Sequence, residues 1–117
     1  MKEIKHIFEP NPLACGQAVI AMITGADVKE IIRLAGTDRE TTLLDMRKLL
    51  SNYGLSLSPE RKQAYSLSDL PDTALLSLET PKCWHWSLYS HGKVYDPEYG
   101  VLNDFPSANR KYFWEIK

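Results

Sequence analysis

Pro71 divides this chain into two stretches of different periodicity, and that division constrains the fold more than any other feature. Before it, the pattern is helical. Gly16 to Thr24 is a nearly continuous apolar run closed by Gly25, which predicts a buried helix starting at or near Cys15 and stopped by glycine. Asp27 reads as the N-cap of a second helix, Val28 to Ala35, with Glu30 placed as a capping box requires and Gly36 as its end. Thr41 or Thr42 opens a third, running to about Tyr53, in which Leu43, Met46, Leu49, Leu50 and Tyr53 share one face. Leu55 to Gln63 is a short strand or extended loop, and Ser66 to Leu70 a single turn.

After Pro71 the period changes. Ala74 to Leu78 is a short apolar run, as a buried strand requires, and Trp84 to Ser90 alternates bulky and small residues. His91-Gly92 makes a tight hairpin turn, from which Lys93 to Asp96 pairs back. Asp96-Pro97 and Tyr99-Gly100 break that strand, and Lys111 to Ile116 is a closing one. Helices followed by antiparallel strands make an α+β fold, with N-terminal helices packed on a C-terminal sheet.

Composition excludes several classes. Residues 1–117 are one domain's length, and 44% hydrophobic with 25% charged residues is an ordinary globular balance that builds a core without staples. Fourteen basic against 15 acidic residues argues against a nucleic-acid partner. No apolar stretch is long enough to serve as a signal sequence or membrane span, since the longest run is Ala18 to Ile23, so a cytoplasmic protein is expected. In that compartment Cys15 and Cys83 are free thiols. Cysteine, histidine and acidic residues do not fall at zinc-ligand spacing, so neither a metal nor a cofactor is expected.

Three residues carry the chemistry. Cys15 follows a loop containing Pro10 and Pro12 and begins an apolar helix. There the unsatisfied N–H groups and the positive dipole end favour thiolate and can hold a developing oxyanion. Gly16 leaves room for a substrate beside it. His85 lies on a strand, which aims a side chain better than a loop does, and a neutral imidazole can take a thiol proton and return it to a leaving group. Asp96 ends the next strand of the same hairpin, near enough to orient that imidazole. Each has an ordinary alternative: a packed thiol, a histidine between tryptophans, a turn aspartate before Pro97. His91, in the turn, and His6, without a visible partner, are weaker candidates.

The segment from Cys15-Gly16-Gln17-Ala18 to Gly25 resembles the nucleophile helix of C39-like peptidases in the papain-like cysteine protease superfamily. His85-Trp86-Ser87-Leu88-Tyr89, followed by Gly92-Lys93-Val94-Tyr95-Asp96-Pro97, resembles their histidine strand and acid-bearing strand. The resemblance implies a papain-like fold and a Cys15–His85–Asp96 triad. It also implies a glutamine a few residues before the cysteine, donating to the oxyanion. That position here holds Glu9, with Asn11 and Gln17 as other sources of a donor. The expected activity is a cysteine peptidase-like hydrolase acting on a polypeptide substrate. Acyl transfer by the same triad and an idle papain-like module binding a protein partner are the alternatives. Trp84, Trp86 and Tyr89 are core or cleft wall, with the two tryptophans as possible substrate contacts. No membrane partner is expected.

Overall fold

The apolar run becomes helix α1, Cys15–Thr24, in the computed structural model, which describes residues 3–117. Ala18, Val19, Ile20 and Ala21 are fully buried, so the helix has little wet face. It packs between α2 (Val28–Ala35) and α3 (Leu43–Ser51) on one side and the sheet on the other. Asp27 caps α2 by accepting from Lys29 N at 2.8 Å. The box expected with Glu30 does not form, because Glu30 turns outward to pair with Arg33. The box forms instead on α3, between Thr42 and Asp45. That helix stops at Ser51, two residues short of the expected Tyr53, and a turn carries the chain through Gly54.

Six antiparallel strands make one sheet: β1 (Lys62–Gln63), β2 (Thr73–Glu79), β3 (Trp84–Ser90), β4 (Lys93–Asp96), β5 (Gly100–Leu102) and β6 (Arg110–Glu115), in the order β1-β6-β2-β3-β4-β5. Helices on one face of an antiparallel sheet are the α+β arrangement the sequence implies. Leu75, Leu88, Trp114 and Ile116 meet the helices. Ala74, Leu76, Leu78, Tyr89, Val94 and Phe113 form a second core under Leu67, Leu70 and Phe105. The central β2 is therefore covered on both faces, which is why its sequence is continuously apolar instead of alternating.

His91 and Gly92 both take positive φ, 47° and 90°, the geometry of a two-residue turn matched to strand twist. That turn sets the register of β3 on β4, with Leu88 opposite Tyr95 and Ser90 opposite Lys93. The break at Tyr99-Gly100 is a turn followed directly by β5, a strand too short to show a period. Among the described residues, no helix is long and apolar enough to cross a membrane.

Candidate active site

Cys15 is the first residue of α1. The loop before it is set by Asn11, whose Oδ1 accepts from Leu13 N at 2.8 Å and whose carbonyl accepts from Ala14 N at 3.1 Å. No side chain caps the helix, so its first N–H groups are not taken by a cap. The thiol is buried and Sγ accepts from Trp86 N, on β3, at 3.4 Å.

Gly16 is where α1 meets its neighbours most closely. A Cβ there would lie 2.1 Å from Thr41 Oγ1 and 3.1 Å from both Met46 Sδ and Trp86 Cδ1. Alanine in a helix interior is otherwise favoured over glycine by about 1 kcal/mol. Here Thr41 is buried and has nowhere to move. Gly16→Ala should therefore destabilise the fold by about 1–3 kcal/mol despite the better helix former, seen as a drop of several degrees in Tm.

His85 stands on β3 beside the thiol, fully walled in. Its Nε2 lies 2.8 and 2.9 Å from the two carboxylate oxygens of Asp96, which leaves Nδ1 for Cys15. Asp96, at the end of β4, lies diagonally across the hairpin and is completely buried. Its Oδ2 also accepts from Ser87 Oγ at 2.9 Å, and its Oδ1 from the N–H groups of Glu98 and Tyr99 at 2.9 and 3.0 Å. Burial pushes the Asp96 carboxyl up, but the His85 hydrogen bond and charge and those N–H groups outweigh it and hold it below its usual range. Burial likewise disfavours imidazolium at His85. Asp96 and Cys15 more than reverse this, and the imidazole is pushed up to about 10. The imidazole is thus protonated at neutral pH between a carboxylate and a sulfur, an arrangement that favours thiolate.

Two contacts on Asp96 were not visible in the sequence. Ser87 faces it directly across the hairpin, a consequence of register that follows once the turn is placed at His91-Gly92. His6, in the N-terminal arm, donates from Nε2 to the Asp96 carbonyl oxygen at 2.6 Å, and no local pattern signals that contact. His91 stays in its turn, bonded to Ser90 Oγ.

The oxyanion candidates separate. Gln17 does not serve: two residues along a helix is more than half a turn around it, so its side chain points away from Cys15. Its Nε2 donates to the carbonyls of Thr37 and Arg39 at 2.9 and 2.8 Å, which uses both hydrogens. Asn11 is committed to the loop and donates to the Asp38 carbonyl at 3.0 Å. Glu9 remains. Its N–H bonds to the Pro97 carbonyl at 2.8 Å, and its Oε1 is buried with no hydrogen-bond partner among the described residues.

A cavity of about 370 Å³ opens over Cys15 and His85, walled by Pro12, Leu13, Thr41, Ser77, Trp84 and Trp86. A groove of about 530 Å³ adjoins it, sharing Pro12 and Cys83 and lined by Glu9, Lys82 and Glu98. Trp84 is 49% exposed and stacks on Tyr112, whereas Trp86 is half-buried with its Nε1 donating to the Thr41 carbonyl. Tyr89 belongs to the second core.

No protein-family model matches the chain, and no curated protein matches it. Two solved structures are similar over nearly their whole lengths. One is the peptidase domain of Streptococcus ComA, a bifunctional ABC transporter involved in quorum sensing, with a TM-score of 0.67, 14% identity, and 97% of this chain and 98% of that one covered. The other is a double-glycine-motif protease from an AMS/PCAT transporter in complex with its leader peptide, with a TM-score of 0.68, 17% identity, and 98% and 93% covered. The chain has the α+β fold of these peptidase domains, the fold that its resemblance to C39-like peptidases implied.

Proposed function

We propose that the chain is a cysteine hydrolase that cleaves peptide or amide bonds in a polypeptide segment lying across the two adjoining clefts. One observation carries this reading: a buried imidazole held between the Cys15 thiol and the Asp96 carboxylate, at the floor of a cleft. The likeness in fold to peptidase domains, one of them bound to a leader peptide, supports the class of reaction and an extended peptide as the substrate.

The Cys15 thiolate attacks the scissile carbonyl carbon and the carbonyl electrons move onto oxygen. N–H groups at the start of α1 face that oxygen. The oxyanion collapses, the C–N bond breaks, and His85 imidazolium gives its proton to the departing amine. The acyl group is now a thioester on Sγ. Neutral His85 takes a proton from water, which attacks the thioester and releases the acid and the thiolate, with the proton back on the imidazole. Asp96 keeps Nε2 engaged throughout, so Nδ1 always faces the sulfur. Trp84 and Trp86 supply the cleft wall for the acyl side of the peptide.

The test is incubation with a library of unfolded peptides, read by mass spectrometry. New termini, with a transient acyl adduct mapped to Cys15, are the expected result. Products bearing an added amine instead of water would replace hydrolysis by acyl transfer. Neither adduct nor cleavage, with Cys15 as unreactive as an ordinary thiol, would leave only a binding module.

A further inference from the structure

Glu9 is a buried carboxyl that the cleavage scheme above does not use. It sits in the arm that lies along the turn after β4, anchored by its own N–H on Pro97. The groups around it come from several elements: His85 on β3, Asp96 at the end of β4, Glu98 in the following turn, and Lys82 in the β2–β3 loop. His6, from the same arm, is bonded to the backbone of Asp96. The one nearby surface cation, Lys82, is taken by Glu98 at 3.1 Å. His85 is turned to Asp96 and Cys15. One Glu9 oxygen is therefore left dry and without a partner, next to the site where a substrate carbonyl must polarise. A dry carboxyl oxygen without a donor is costly as part of a carboxylate and comfortable as part of a neutral acid that can itself donate.

We infer that Glu9 acts as a neutral carboxylic acid and donates its proton in a hydrogen bond to the oxyanion formed at Cys15, so that acylation is switched off when this acid ionises. The inference rests on the hydrolase reading above and adds to it a titratable oxyanion donor. Asn11 and Gln17 are committed elsewhere, which leaves no neighbouring side-chain amide for the task. Ionised, Glu9 has no hydrogen to give and its charge opposes the oxyanion. Burial first, then the Glu98 and Asp96 charges, push the Glu9 carboxyl above its usual range against the pull of His85 and Lys82. Both states are thus reachable under ordinary assay conditions. A carboxyl held neutral by its surroundings so that it can donate is an established catalytic device.

The experiment compares two reactions at Cys15 from about pH 5 to about pH 9. Acylation by p-nitrophenyl acetate passes through an oxyanion, whereas alkylation by iodoacetamide does not. Both are followed by mass spectrometry on the peptide containing Cys15, in the wild type, Glu9→Gln and Glu9→Ala. In the wild type the ratio of acylation to alkylation should fall about tenfold per pH unit once Glu9 ionises. Glu9→Gln, which donates at every pH, should flatten that ratio and exceed the wild type by about a hundredfold at the alkaline end. Glu9→Ala should stay about a hundredfold low at the acid end, with alkylation unchanged. A flat wild-type ratio would overturn the inference, whether or not either variant folds. A change in alkylation itself in Glu9→Gln would make Glu9 a counter-charge to His85 and overturn it too. Slow, ordinary alkylation with no acylation in any of the three chains would overturn the hydrolase reading and the inference with it.

Discussion

Cys15→Ala should abolish amide cleavage while leaving the fold nearly untouched. The thiolate is the group that forms the covalent bond, and alanine offers nothing to attack with. Losses of about a million-fold follow removal of a nucleophile in comparable triads, and nothing in this cleft supplies a substitute. The exposed Cys83 borders the same cavity but lies on the loop side, outside the His85–Asp96 contact. Structurally the change is small. The only hydrogen bond lost is the long one from Trp86 N to Sγ, and no large void opens. Stability should change by about 1 kcal/mol. A thermal melt close to that of the wild type, with no new termini from the peptide library, is the expected pair of results. Because the triad acts as a unit, adding His85→Ala to Cys15→Ala should cost no further activity.

His85→Ala should lose both activity and stability. Asp96 is fully buried and keeps its charge through four contacts, of which only His85 brings a compensating positive charge. Removing one partner of a buried ion pair costs about 3–5 kcal/mol, a large fraction of the total stability of a domain this size. The effect depends on pH in a defined direction. His85 is raised in the folded state, so its contribution is complete below the ordinary imidazole range and disappears as pH rises towards about 10. Asp96 is lowered, so its contribution is present above the ordinary carboxylate range and disappears as pH falls through the folded value. The gap between wild type and His85→Ala should therefore be widest between those ranges and narrow at both ends. In the variant, the orphaned Asp96 should take up a proton more readily, so mild acid should recover part of the loss. Urea unfolding at a series of pH values measures this directly.

The triad was legible because each member sits at a boundary that leaves a sequence signal. Cys15 lies where a proline loop meets an apolar helix, and that helix begins at Cys15. The His91-Gly92 turn fixes register, and register alone brings Asp96 beside the pair His85 and Ser87. Strand β5 was missed because three residues cannot display a period, and the Asp96 contacts with Glu98 and Tyr99 that form the preceding turn also serve the site. Glu30 was assigned to a cap because spacing permits one, yet Arg33 offered a closer partner. The role of the N-terminal arm was invisible. His6 and Glu9 meet the end of β4 some ninety positions along the chain, and no local pattern encodes so distant a contact. Gln17 illustrates the opposite error, since closeness to Cys15 in sequence puts it on the wrong side of the helix.

Alkylation of Cys15 by iodoacetamide as a function of pH tests the convergence of Cys15 and His85 most directly. The exposed Cys83 on the same chain serves as an internal reference. Peptide mapping should find Cys15 modified well below the pH of about 8.5 at which an ordinary thiol ionises, despite its burial, while Cys83 follows ordinary behaviour. In His85→Ala, assayed where the variant remains folded, that advantage should vanish. Cys15 reacting no faster than Cys83 at low pH in the wild type, or unchanged by loss of His85, would contradict a thiolate–imidazolium pair at the floor of this cleft.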